Sequence, residues 1–221
     1  SLVAQAAQLL GAREADVQLV EGDAVTPDDR SIGLAQVVRE AIASGRPVES
    51  LAKYDAPVAD TIDPDTGQGK PFNDFTFGVQ VAEVEVDEET GQVRVRRFVT
   101  AFDVGKAINP SAVEGQLQGG VGMGLGDALM EEVVIDEGFT RNPHLMDYKL
   151  PTTLDTPDIE TIVLESGQGL GPFGAKGIGE PALIPTRATI VNAVSDAIGV
   201  QLREAPLTPE RVYRAMRSGA D

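Results

Sequence analysis

A single carboxylate closes a glycine-rich stretch late in the sequence. Gly167 to Glu180 reads GQGLGPFGAKGIGE, with six glycines ahead of Glu180 and Pro181 directly after it. The run that follows, ALIPTRATIVNAVSDAIGV, has an amphipathic pattern. Proline suits a first helical position, because its missing N–H would be unpaired there anyway. The spacing predicts that Glu180 sits where a side-chain-poor loop meets a helix N-terminus. Glycines let backbone N–H groups approach a ligand closely, and a helix N-terminus favours anions. A carboxylate in that setting can act as a general base if it is buried beside a reactive group. It can equally do no more than decorate the positive end of a helix dipole. Residue types alone leave both readings open.

A second concentration of glycine lies in DVGKAINPSAVEGQLQGGVGMGLGDALMEE, Asp103 to Glu132, where six glycines fall between Gly115 and Gly126. Half of the 24 glycines therefore lie in two short segments. Glycine inside a helix costs about 1 kcal/mol relative to alanine. Either close packing of elements or close approach to a bound molecule must offset that cost. Gln116 stands among these glycines with an amide able to donate and accept. It either contacts such a molecule or is an exposed glutamine on a tightly packed glycine helix.

Other chemistries are excluded by composition. The sequence has no cysteine, which rules out disulfides, iron–sulfur clusters and thiolate zinc sites within it. Its one histidine, His144, cannot build a His-rich metal site and reads as a loop residue. A net charge of -17 argues against nucleic acid and anionic membranes as partners, and 5% aromatics with no tryptophan leave little for base stacking. Asp63, Asp65 and Gly67 hint at a calcium loop, but the third carboxylate and the distal glutamate are misplaced. GQGK at Gly67–Lys70 is not a phosphate loop, since Pro64 stands where its first glycine belongs.

The elements that must position these residues follow from pattern. With 221 residues, 42% of them hydrophobic, the chain can bury a substantial core. Leu2, Leu9 and Leu10 predict an opening helix. Asp16–Val25 reads as a short strand pair or turn, and a helix is expected from Ser31, with Leu34, Val37, Val38 and Ile42 on one face and Gly45 as its stop. Pro57–Asn73 reads as loop. FGVQVAEVEVD and QVRVRRFVTAF flank EETG as a hairpin, with Gly91 suited to the turn. Glu83, Glu85 and Asp87 are expected to face Arg94, Arg96 and Arg97 across it. EEVVIDEGFT gives a further strand and turn, NPHLMDYKLPTTLDTPD a loop, and IETIVLE a strand. TPERVYRAMRSG closes the chain as a helix, with Thr208 at the cap and Pro209 first. The expected fold class is α+β, mixed sheets and helices without a regular βαβ alternation. No run reaches the ~18 apolar residues of a membrane span. SLVAQAAQLLGA lacks the basic region and cleavage site of a signal peptide, and it reads as mid-helix. The sequence is therefore expected to be part of a longer chain or a processed subunit, and cytoplasmic.

Three of these motifs, in order, carry a resemblance. DVGKAINPSAVEGQLQGGVGMGLG, MDYKLPT and GPFGAKGIGEPALIPTRATIVNAV together resemble the xanthine dehydrogenase/aldehyde oxidase family of molybdenum hydroxylases, in the C-terminal part of its molybdopterin-binding subunit. The hairpin and closing helices fit the same region, so the resemblance covers most of the chain. It implies one C-terminal portion of a molybdopterin-binding domain over residues 1–221, with room for two subdomains of which the N-terminal one is incomplete. It implies that Glu180 is the active-site base, acting on a molybdenum-bound hydroxyl whose oxygen attacks a substrate carbon. It implies that Gln116 hydrogen-bonds the molybdopterin cofactor and that the backbone of Gly177, Ile178 and Gly179 approaches it. Lys176 matches a frequent lysine without an assigned role, and no residue here is implied as a metal ligand. The implied partners are a larger molybdopterin-binding polypeptide, an iron–sulfur (2Fe-2S) subunit, an FAD subunit and a small-molecule substrate. That substrate is an N-heterocycle such as a purine or nicotinate, or an aldehyde, or carbon monoxide, with a lean toward the heterocycle. Two rival expectations are a non-catalytic assembly scaffold and a stand-alone domain whose glycine loop holds a phosphorylated ligand.

Overall fold

The computed structural model describes residues 2–49, 51–55, 57 and 59–218, so Ser1, Val58 of the expected loop and Gly219 of the closing segment lie outside it. Two units are separated between Asp55 and Ala56. The first contains α1 (Leu2–Leu10), strands β1 (Gln18–Val20), β2 (Asp23–Val25) and β3 (Ser31–Gly33), and α2 (Leu34–Ala43). The strands form an antiparallel sheet in sequence order. Ala6, Ala7, Val17, Ala24 and Val37 make its core. The helix expected from Ser31 begins instead at Leu34. Ser31 pairs with Val25 and Ile32 with Ala24, and Gly33, a poor helix former, is extended at the cap. Sheet pairing satisfies the backbone groups that a longer helix would have used. Gly45 (φ 70°) ends α2 as expected.

The second unit is built on the hairpin of β4 (Phe77–Val86) and β5 (Val93–Asp103), followed by α3 (Pro110–Leu129). A two-residue pair, β6 (Ile135–Asp136) and β7 (Phe139–Thr140), then leads through a loop to β8 (Asp158–Leu164). The chain continues with α4 (Leu183–Ile198) and α5 (Pro209–Ser218). β8 lies parallel to β5, giving the order β4-β5-β8. Alternation puts Phe98, Thr100 and Phe102 of β5 on one buried face. Phe98 packs there with Val121 and Leu125 of α3, Ile190 and Val194 of α4, and Val212 of α5. Each such fully buried side chain contributes about 1.5–3 kcal/mol. Phe102 anchors a second cluster with Val104, Val113, Leu117 and Ala182.

The hairpin turn caps itself. The Asp87 carboxylate accepts from the backbone N–H of Glu89 (2.8 Å) and Thr90 (3.0 Å), and Gly91 takes a positive φ of 76°. Asp63–Gln68 repeats this arrangement, with Asp63 accepting from Asp65 (2.8 Å) and Thr66 (3.1 Å) and Gly67 at φ 67°. The suspected calcium carboxylate is thus engaged by its own turn. The charge ladder also differs in detail from expectation. Arg96 pairs with Glu85 at 2.7 Å, but Arg97 reaches Glu160 on β8, and Asp87 serves the turn.

Candidate functional site

Asn109 starts α3 by accepting from the Ala112 N–H (3.0 Å), with Pro110 as the first helical residue. Five of the six glycines of α3 split by face. A Cβ on Gly120 would lie 2.7 Å from that of Ala182, and one on Gly124 would lie 2.5 Å from that of Thr186. These glycines allow α3 to meet the start of α4 at close range. Gly115, Gly119 and Gly122 face open space.

Helix α4 begins at Leu183, two residues later than expected from Pro181. Pro181 and Ala182 form a turn in which the Leu183 N–H donates to the Glu180 carbonyl (3.0 Å). Pro185 lies in the first helical turn, where backbone N–H groups lack intrahelical partners. A buried polar cluster fixes this turn. Gln80 of β4 donates from Nε2 to the Ala182 carbonyl (2.8 Å) and to the Thr100 hydroxyl (3.1 Å). The Thr186 hydroxyl lies 3.0 Å from Gln80 Oε1 and 2.7 Å from the Ala182 carbonyl. Thr100 and Thr186 are fully buried, so this network is costly to break.

The second glycine segment folds back on itself and lies along the end of β5. Gly169 N–H donates to Gly174 O (3.0 Å), Gly167 N–H to Gly105 O (2.9 Å), and Lys176 N–H to Val104 O (2.9 Å). The Lys176 ammonium is buried, 2.7 Å from the Asp103 carboxylate and 5.5 Å from the Phe77 ring centroid. Asp103 also accepts from the Gly105 N–H (2.9 Å) and the Ser166 hydroxyl (2.9 Å). The Lys176 ammonium, then these further donors, hold the Asp103 carboxyl well below the usual carboxylate range. Thr76 completes the tether by donating its hydroxyl to the Gly177 carbonyl (2.7 Å).

These tethers leave Gly177, Gly179 and Glu180 exposed at the end of the loop. A mostly apolar groove of about 190 Å³ runs between the first turns of α3 and this loop, walled by Val104, Ile108, Val113 and Ile178, with Lys106 and Gln116 among its polar residues. The Lys106 ammonium is paired with Glu165 at 2.9 Å. Gln116 is exposed, and a Cβ on Gly179 would lie 3.9 Å from its Nε2. Among the described residues, neither the Gln116 amide nor the Glu180 carboxylate has a side-chain partner, so both are free to engage something else. The residues predicted as a site therefore gather at one place. Gln80, Thr76, Asp103 and Ser166, which hold that place together, were not singled out from sequence. Asp103 opens the DVGK motif, and that was the one available signal. An open groove of about 500 Å³ beside Arg94, Met130 and Pro157 contains none of the predicted residues. His144 lies exposed in a loop. Among the described residues, no group of three or more His, Cys, Asp or Glu could hold a metal ion, and no helix is long and apolar enough to cross a membrane.

A family model described as a molybdopterin cofactor-binding domain matches residues 1–157. The putative xanthine dehydrogenase molybdenum-binding subunit of Escherichia coli is 43% identical over 143 residues, 64% of this chain and 19% of that protein. The 6-hydroxypseudooxynicotine dehydrogenase complex subunit gamma of Paenarthrobacter nicotinovorans is 34% identical over 94% of this chain and 26% of its own length. Among solved structures, quinoline 2-oxidoreductase from Pseudomonas putida 86 superposes with a TM-score of 0.72 at 32% identity. That match covers 98% of this chain and 28% of the other. Aldehyde oxidoreductase from Desulfovibrio gigas gives a TM-score of 0.72 at 32% identity over 87% of this chain and 21% of its own. The chain thus spans about a fifth to a quarter of the length of the relatives it matches.

Proposed function

Because the chain belongs to the molybdopterin cofactor-binding family of the xanthine dehydrogenase/aldehyde oxidase type, we propose that it forms one wall of a molybdenum hydroxylase site in which Glu180 is the general base. The observation that carries this reading is the approach of the uncommitted Gln116 amide to Gly179, the neighbour of the exposed Glu180, at the bare backbone of Gly177–Gly179. The residues present fit such a cofactor. An extended anionic group needs open backbone and free donors, and the Gln116 amide, Gly177, Ile178 and Gly179 provide them beside the N-terminus of α3, whose dipole favours negative charge.

The cofactor, when bound, supplies the redox-active metal centre at which water-derived oxygen is inserted into a substrate C–H bond. The chain's own contribution is positional and protonic. Gln116 would hold the pterin portion of that cofactor through its free amide. Glu180 would take onto a carboxylate oxygen the proton given up by the water that supplies the inserted oxygen, and release it to solvent after turnover. Its backbone is held by the Gln80 cluster on one side and the Lys176–Asp103 pair on the other. Such fixed placement is what general-base catalysis requires. Exclusion of water falls to the remaining polypeptide, since this side of the site is open. The working assembly on this reading joins the chain to the rest of a molybdopterin polypeptide and to iron–sulfur and FAD subunits in the cytoplasm, with residues 1–55 as an N-terminal subdomain completed by the rest. The names among the relatives divide between N-heterocycles (xanthine, quinoline, hydroxypseudooxynicotine) and aldehydes, and the substrate taken for this reading is an N-heterocycle, with an aldehyde as the alternative.

The test is Glu180→Gln in the purified assembly. Molybdenum content is expected to stay unchanged while turnover falls about 10²–10⁴-fold, the range that general-base catalysis supplies. Turnover equal to the parent's at equal molybdenum would overturn the assignment and favour the scaffold role.

A further inference from the structure

The face of the β4-β5-β8 sheet that turns away from α3 and α4 is not uniform. Strand register places Phe77, Val79, Val81 and Glu83 of β4 across from Asp103, Ala101, Val99 and Arg97 of β5. Ile162 and Leu164 of β8 continue the same rows beside Ala101 and Asp103. At one end the rows are charged and closed within the sheet, through the Arg97–Glu160 and Arg96–Glu85 pairs. At the other end they are apolar and bare. Phe77 is 68% exposed, Val79 63%, Val81 60% and Leu164 53%, and Phe75 extends the patch with its ring 6.5 Å from that of Phe77. Contiguous apolar surface of this kind marks an interaction site. β4 is also an edge strand, with one side of its backbone unpaired in the sheet.

We infer that this apolar half-face is the docking surface for the remainder of the molybdopterin polypeptide, presenting apolar side chains of its own. The inference rests on the function proposed above, and three observations select this occupant. The chain covers only 18–28% of the length of the relatives it matches, so most of the polypeptide that surrounds such a site lies outside it. The patch is continuous with the candidate site: Thr76, next to Phe77, holds the Gly177 carbonyl, and Phe77 covers the Lys176 ammonium. A segment seated here therefore arrives at the open side of the Glu180 loop. Finally, a net charge of -17 opposes pairing of two copies and attraction to an anionic membrane.

Carbene footprinting of the isolated chain and of the purified assembly tests this. Labelling at Phe77, Val79, Val81 and Ile162 is expected to fall roughly tenfold on assembly, as in the water-excluded centre of an interface, while Arg214 on α5 changes little. A Val81→Lys variant should keep the melting temperature of the isolated chain yet reduce recovery of the assembly at least roughly tenfold. Undiminished labelling of the patch in the assembly would overturn the inference. So would protection that appears in the isolated chain as its concentration rises, which assigns the patch to a second copy, or protection gained only with vesicles of phosphatidylserine. The footprint is independent of turnover. A protected patch with an active Glu180→Gln enzyme removes only the catalytic reading, and an exposed patch with an inactive one removes only the docking surface.

Discussion

The glycines of α3 and those of the loop before Glu180 converge on one site but answer different steric demands. On α3 the absence of a side chain lets another element come close, as at Gly120 and Gly124 against the first turn of α4. In the loop it lets the backbone double back on itself. A Cβ on Gly169 would lie 2.3 Å from the Ala175 carbonyl oxygen, and one on Gly174 would lie 2.6 Å from that of Gly167. Neither set has room for a ligand. What remains for one is the group facing open space, Gly115, Gly119 and Gly122 on α3 and Gly167 and Gly177 in the loop. The contrast shows that glycine density by itself does not mark a binding surface. The helix penalty of about 1 kcal/mol per glycine is offset by packing at some positions and left standing at others.

Gly124→Val strikes the packed set. Its side chain would enter the space of buried Thr186, and about 3 kcal/mol of stability is expected to be lost in denaturant unfolding of the isolated chain. A loss below a few tenths would mean that the α3–α4 contact gives way easily. Gly174→Ala strikes the folded-back set at a backbone φ of 79°, and an expected cost of about 1–2 kcal/mol should be read locally. Amide exchange at Gly169 and Lys176 should accelerate while core amides on β5 stay protected; uniform acceleration would tie the loop to global stability instead. Gly119→Ala strikes the open set and should stabilise the isolated chain by about 0.5–1 kcal/mol. If the assembled protein then retains less molybdenum, the open glycines are where the cofactor comes close, and full retention would show that the space is merely solvent.

Much of this architecture is legible in the sequence because it is locally encoded. The hairpin announces itself by alternation on either side of a turn, and α5 by Thr208–Pro209 at its start, whereas the Asn109–Pro110 start of α3 emerges only from the structure. β8 was legible as a strand but not as the parallel neighbour of β5, since pairing across a long intervening segment leaves no local pattern. Ser31–Gly33 was read as helix because Ile32 and Leu34 fit either period, and tertiary pairing with β2 decided the matter. The start of α4 moved from Pro181 to Leu183 because proline's preference for a first turn is met by Pro185. Gln116, Ile178 and Glu180 are proposed through the resemblance and the order of its motifs. Their support was not legible: Gln80 and Thr186 look like ordinary strand and helix residues, and Lys176 carries no sign that its partner is Asp103.

The two self-capped turns also bear on the order in which the molecule forms. In each, an aspartate, a threonine and a glycine close the backbone within six residues, without help from distant chain. Hairpins closed in this way form in about 1–10 μs. β8 and α4, by contrast, must cross long loops to reach β5, β4 and α3, and such contacts carry the larger entropic barrier. Topology therefore favours the hairpin as nucleus and α4 as a late arrival. On that order Glu180, carried at the entrance to α4, is expected to take its place after the scaffold beneath it has set.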